Sequence, residues 1–255
     1  MVDWPTAVLV GVFGLSVGSF LNVCIHRLPL HESLVWPGSY CPKCRTPLRW
    51  YDNVPVVGYA MLRGRCRSCG TRISALYPIV EVVTAAVFVA GYLLFGLQPL
   101  LVARLLFTCA MIVLAVTDIE HRILPDKITL PGIPLGLVFN LFLPPGFTSA
   151  VIGVVTWPTA LFLMGRVVSY FLKRDALGFG DVKMLAMIGA FLGWQLAFVT
   201  VFASSIIGSF FGLLGIALLG RDRYYEIPLG TFLAVAAIFT AMVGERLLGW
   251  YTGLS

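Results

Sequence analysis

The chain has 255 residues, of which 59% are hydrophobic and 12% charged, with a net charge of +6. Its mean hydropathy of +0.92 excludes a soluble globular domain and a disordered chain, and apolar runs near twenty residues predict membrane-spanning helices. The positive charge does not signal nucleic-acid binding, because no aromatic-interleaved basic stripe accompanies it.

The first predicted span covers about residues 5–25. It carries Asp3 and lacks a basic n-region and a cleavage site of the Ala-x-Ala kind, so a retained span is expected, not a removable signal peptide. A basic loop follows at 26–78 and is the one domain-sized polar segment. It holds Cys41-Pro-Lys-Cys44 and Cys66-Arg-Ser-Cys69, with 21 residues between the two pairs. Each CxxC aims two thiolates at one point, and two of them complete a tetrahedron suited to zinc. Two disulfides are the alternative, which a reducing cytoplasm disfavours. Four sulfur ligands leave no open coordination position, so the metal would be structural. Cys24 and Cys109 stand alone in apolar runs and are expected as small core residues. No internal repeat or low-complexity stretch is evident.

The second span is expected at 79–97. Glu81 lies just inside it, either as a buried hydrogen-bonding group or as a member of a functional site. The third span, at 100–118, ends on Asp118. A carboxylate here is costly, roughly 2.5–3.5 kcal/mol at a helix centre and less toward its ends, so it requires a reason. Glu120 and Asp175 read as solvated loop charges, and Asp126 reads as the N-cap of a fourth span at 128–143. A fifth span is expected at 148–172.

The tetrapeptide Gly178-Phe-Gly-Asp181 then opens a short apolar run at 182–193, which is tilted or continuous with the next through Gly193-Trp194-Gln195. Asp181 taken alone fits a helix N-cap. Gly178 and Gly180, however, permit close approach of another backbone, as a protease requires for an extended substrate. Lys183 biases Asp181 toward ionisation or, more simply, snorkels toward headgroups. Runs at 195–219 and 228–249 complete an all-α polytopic membrane protein of about eight transmembrane helices, with seven as the fallback, and a small zinc-bound cytoplasmic loop domain. Of the 18 Lys and Arg, 16 fall in alternate connections, leaving only Arg104 and Arg246. The positive-inside rule puts these connections in the cytoplasm and both termini outside. Asp118 and Asp181 thereby come to the same membrane face, where paired carboxylates can share a proton and activate water.

The sequence resembles the bacterial type IV prepilin peptidases nearly end to end. The motifs run from Gly18-Ser-Phe-Leu-Asn-Val-Cys-Ile-His-Arg-Leu-Pro29, through the two CxxC pairs, Trp50-Tyr-Asp-Asn-Val-Pro55, Tyr77-Pro-Ile-Val-Glu81 and Thr117-Asp-Ile-Glu-His-Arg-Ile-Leu-Pro-Asp126, to Gly178-Phe-Gly-Asp-Val-Lys-Met-Leu-Ala186 and Ile227-Pro-Leu-Gly-Thr-Phe-Leu-Ala234. Gly178 to Asp181 also resembles the GxGD signature of presenilin-type intramembrane aspartic proteases. The resemblance implies Asp118 and Asp181 as the catalytic pair and Cys41, Cys44, Cys66 and Cys69 as zinc ligands. It implies residence in the bacterial inner membrane, with type IV prepilins and pseudopilins as substrates. Their short basic leader would be cut at a Gly just before the apolar helix. It further implies N-methylation of the exposed residue with S-adenosylmethionine as donor, whose binding residues are not identified, since no GxGxxG follows a strand. The domain organisation expected is a first helix at 1–25, a methyltransferase-associated zinc loop at 26–78 and a peptidase core at 79–255. The alternatives are a peptidase without methyltransferase activity, a transporter or proton channel with the aspartates as relay groups, and a membrane scaffold whose zinc loop binds a partner.

Overall fold

A computed structural model describes residues 3–173, 177–219 and 229–253. Asp175, with Arg174, Arg221 and Arg223 of the topology argument, lies outside them. Apolar sequence, good helix formers and the need to satisfy every backbone polar group internally make helices the expected solution in lipid. The described residues form helices α1 (Trp4–Arg27), a short α2 (Val57–Met61), α3 (Leu76–Phe95), α4 (Pro99–His121), α5 (Asp126–Phe139), α6 (Phe147–Leu172), α7 (Phe179–Leu219) and α8 (Leu229–Thr252), with one 3-10 turn at Trp50–Asn53. They contain no strand, only isolated bridges.

Six of these helices are long and apolar enough to cross a membrane. The expected fourth span is the 14-residue α5, which holds Pro131 and Pro134. At 1.5 Å per residue it reaches about 21 Å, short of the roughly 30 Å hydrocarbon layer. The expected sixth and seventh spans are joined in α7, across a break at Gly193 where φ is 74° and ψ is 174°. Counting the two halves of α7 separately, the eight apolar stretches read from the sequence are all helical.

The chain divides into two compact units, one ending at Leu101 and the other beginning at Val102. In the first, α1 packs along α3. Gly14 and Gly18 make this possible: a Cβ on either would lie 2.8 Å from Ala85 Cα or 2.7 Å from Glu81 Cα. Lipid supplies no hydrophobic drive between helices, so close backbone approach through small residues takes its place. The polar loop is tied to these helices by buried groups. Arg27 donates to the carbonyls of Ser33 at 2.9 Å and Gly38 at 3.0 Å, while Asn22 ties α1 to the first turn of α3 by donating to Tyr77 O at 3.0 Å.

Within that loop the sequence conceals a short repeat, contrary to the expectation of none. Tyr40-Cys-Pro-Lys-Cys-Arg-Thr-Pro47 and Arg65-Cys-Arg-Ser-Cys-Gly-Thr-Arg72 fold alike. Each begins and ends on a two-residue bridge, Tyr40 with Pro47 and Arg65 with Arg72. In each the first cysteine N–H donates to the threonine carbonyl, and the residue after the second cysteine donates back to the first cysteine. That residue takes φ of 55° at Arg45 and 69° at Gly70.

In the second unit the core joins Phe107, Met111 and Leu114 of α4, Met184, Leu185, Ile188 and Leu192 of α7, and Leu233, Ala234 and Ala237 of α8. Helix α6 crosses α7 where Gly153 and Gly189 bring their backbones together, and α5 reaches α7 through Gly136. Asn140, at the end of α5, braces the broken helix. Its Nδ2 donates to Ala190 O at 2.7 Å and Phe191 O at 3.3 Å, while Trp157 Nε1 donates to Trp194 O at 2.7 Å. Large apolar residues such as Phe162, Leu163, Phe202 and Phe210 point outward, as lipid-facing positions do.

Candidate active site and metal centre

Asp118 occupies the last turns of α4 and is buried. Its Oδ2 accepts two hydrogen bonds from Thr231 at the start of α8, from the backbone N–H at 2.7 Å and from Oγ1 at 2.8 Å. Gly230 lets the helix start come this close, since a Cβ there would sit 3.0 Å from the same carboxylate oxygen.

Asp181 is the third residue of α7. Pro125, not Asp126, precedes α5, and Asp181 likewise stands inside its helix rather than capping it, its N–H donating to Gly178 O at 3.2 Å. Both N-cap readings are thereby corrected. Asp181 is partly buried, and the charge that acts on it is that of Asp118. Leu124 lies beside both acidic segments: a Cβ on Gly180 would meet its Cβ at 3.2 Å, and one on Gly230 its Cδ1 at 3.1 Å. Three segments therefore converge: the end of α4 with residues 118–124, the turn 178–181, and the start of α8. A side chain on Gly178 would press within 3.3 Å of the Asp181 carboxylate, so this approach is open only because position 178 has none.

Neighbouring charges are otherwise occupied. Lys183, expected to face headgroups or to act on Asp181, instead donates to Asp126 and stands 5.5 Å from the Phe179 ring centroid. Glu120 is exposed near His121, as a solvated charge should be. Glu81 is buried and serves as a hydrogen-bonding group. Its Oε2 accepts the N–H of Val56 at 2.7 Å and so pins a loop residue with φ of 60° to α3.

The four loop cysteines bring their sulfurs within 4.8 Å of one another. Sγ of Cys41 lies 3.8 Å from that of Cys69, and Sγ of Cys44 lies 3.9 Å from that of Cys66. A tetrahedron with metal–sulfur bonds of about 2.3 Å has edges of about 3.8 Å, so the cluster has the size zinc requires and is far too open for disulfides. Thr71 Oγ1, 3.4 Å from Sγ of Cys69, and the Thr71 backbone hold that thiol down at about 6. Thr46 does the same in direction for Cys44. The thiolate is thus favoured at the second cysteine of each CxxC pair. Cys24 is buried in α1 and Cys109 half-buried in α4, neither belonging to the cluster.

Thr231 and Gly230 were not singled out from sequence as site residues. Their signal is a Gly-Thr pair just inside the last apolar run, where a small residue and a hydroxyl open a helix.

Comparison with known proteins follows this division. Residues 12–95 match the family model described as the bacterial peptidase A24 N-terminal domain, and residues 105–213 match that of the type IV leader peptidase family. A relative from Aeromonas hydrophila is 35% identical over 98% of this chain and 95% of its own length. One from Klebsiella pneumoniae is 43% identical over 71% of this chain and 83% of its own length. One from Pseudomonas aeruginosa is 33% identical over 94% and 91%. All three are named prepilin leader peptidase/N-methyltransferase. No solved structure matches. With similarity of this extent over nearly its whole length, the chain belongs to the type IV leader peptidase family.

Proposed function

We propose that the protein cleaves the short basic leader from type IV prepilins and pseudopilins at the cytoplasmic face of the bacterial inner membrane. It then methylates the new N-terminal amine with S-adenosylmethionine. The observation that carries the peptidase reading is the convergence of Asp118 and Asp181 beside glycine-lined backbone. The relatives' printed names support the pairing with methyl transfer.

Two carboxylates that feel each other's charge act as a pair holding one proton. The ionised one takes a proton from water as the oxygen attacks the scissile carbonyl carbon. The protonated one donates to the carbonyl oxygen, giving a tetrahedral diol. Collapse of the diol breaks the C–N bond: one diol hydroxyl returns its proton to the ionised aspartate while the protonated aspartate gives its proton to the departing amine, so the pair again holds one proton. No covalent enzyme intermediate is needed. Gly178 and Gly180 leave room for the extended substrate strand beside Asp181. S-adenosylmethionine, when bound, would supply the methyl group that the liberated amine accepts.

Cys41, Cys44, Cys66 and Cys69 would hold a structural zinc ion that ties the two knuckles together. The four-sulfur set leaves no position for substrate. The loop is too small and polar to build a core of its own, so metal binding supplies folding energy there. The basic connections, by the positive-inside rule, set the zinc loop and aspartates on the cytoplasmic side and the termini outside. Family membership disfavours the transporter and scaffold readings.

The test uses purified full-length protein in detergent with a peptide made of a basic leader, a Gly-Phe junction and an apolar stretch. Mass spectrometry is read with and without S-adenosylmethionine. Leader loss in both, with one methyl group added only in its presence, is expected. An intact peptide after long incubation refutes the peptidase reading, and cleavage without methylation refutes the second activity.

A further inference from the structure

The two aspartates are held very differently. Asp118 Oδ2 receives two donors, both from Thr231. The Thr231 N–H, in the first described turn of α8, is directed at this carboxylate at 2.7 Å. The Thr231 hydroxyl has one proton and two acceptors in reach, Asp118 Oδ2 at 2.8 Å and Ala115 O at 3.4 Å. The shorter bond wins, and the proton points at Asp118. A carboxylate has only acceptors to offer, and two converging donors are complementary to it. Both bonds use Oδ2, which leaves Oδ1 for water. Among the described residues, no donor stands within hydrogen-bond reach of the Asp181 side chain.

We propose that Thr231 is a positioning residue that orients Asp118 as the water-activating carboxylate. The proposal rests on the aspartate-pair reading above. Thr231 itself touches no reacting atom. It fixes the carboxylate plane through a rigid helix start, so that Oδ1 is presented while Oδ2 is occupied. Gly230 is the companion requirement, because any side chain there would displace that oxygen.

The test measures kcat and KM for cleavage of the leader peptide by full-length Thr231→Val, Thr231→Ala and Thr231→Ser in detergent, beside Asp118→Asn and Asp181→Asn. Thermal unfolding checks that each variant folds. Losing a hydrogen bond to a charged group is worth about 1.5–3 kcal/mol, which converts to a fall of roughly tenfold to hundredfold. Thr231→Val and Thr231→Ala should lose this in kcat with KM changed less than about twofold, and Thr231→Ser should recover to within about threefold of the parent. Two small variants are used so that steric failure of Val alone cannot decide the matter. Wild-type kcat in folded Thr231→Ala, loss confined to KM, or a Thr231→Ser as slow as Thr231→Ala would each overturn the proposal. Cleavage by Asp118→Asn would instead sink the aspartate-pair reading beneath it.

Discussion

Substituting Asn140 tests how the broken helix that carries Asp181 is held. Asn140 is buried, and its amide nitrogen donates to Ala190 O, Phe191 O and Gly136 O at 2.7, 3.3 and 3.0 Å. Two of these carbonyls belong to the turn of α7 that ends at Gly193, where the helical ladder is interrupted. Its Oδ1 has no partner among the described residues, so the side chain acts here as a donor alone. In membrane helices an average side-chain hydrogen bond contributes about 0.6 kcal/mol, because the unfolded chain finds other partners. The Ala190 and Phe191 carbonyls sit in a protein interior beside a backbone break, where an unsatisfied acceptor costs about 1–3 kcal/mol. Asn140→Ala should therefore destabilise the protein by about 2 kcal/mol, since one of the two bonds is long. Asn140→Asp keeps the shape but turns a second oxygen toward three carbonyls, and should be worse than Ala. Unfolding in mixed detergent micelles, followed by circular dichroism against denaturant, compares the two. An Asp variant as stable as the parent, or more stable than Ala, would refute the bracing role.

Three further expectations concern other parts of the molecule. Gly18→Leu should weaken α1–α3 packing by about 1–3 kcal/mol, seen as a lower unfolding midpoint, because even its Cβ would fall 2.7 Å from Glu81 Cα. Stripping zinc with a chelator should leave the 26–78 loop open to proteases, and elemental analysis should find stoichiometric zinc in the parent protein and none in Cys41→Ser. Metal uptake by the stripped protein should weaken as pH falls through about 6, where the Cys69 thiol regains its proton. Breaking the Lys183–Asp126 pair, for example with Asp126→Asn, should change unfolding stability by less than about 1 kcal/mol, since Asp126 is 55% exposed. It should leave peptide cleavage intact, because neither side chain faces the aspartate pair.

Much of this was legible in sequence because lipid makes polarity conspicuous. Apolar runs marked the helices, and Asp118 and Asp181 stood out as charges in a chain with few. The cysteine pairs carried their own geometry. What escaped depends on tertiary context. Gly193 looks like any glycine in a span until its φ of 74° breaks α7. The repeat of the two knuckles hides in eight residues each, beneath any period that stacks whole elements. The pairing of Lys183 with Asp126 joins residues 57 apart in sequence, and this withdrew the lysine from the aspartates. Thr231 has no charge and no unusual spacing, so its two bonds to Asp118 become visible only when α8 is set beside α4.

The most direct test of the central claim is leader-peptide cleavage by Asp118→Asn and by Asp181→Asn, each checked for parental unfolding behaviour and zinc content. Both folded variants should leave the leader attached while still methylating a peptide supplied already cleaved. Leader removal by either variant would contradict the assignment of the pair.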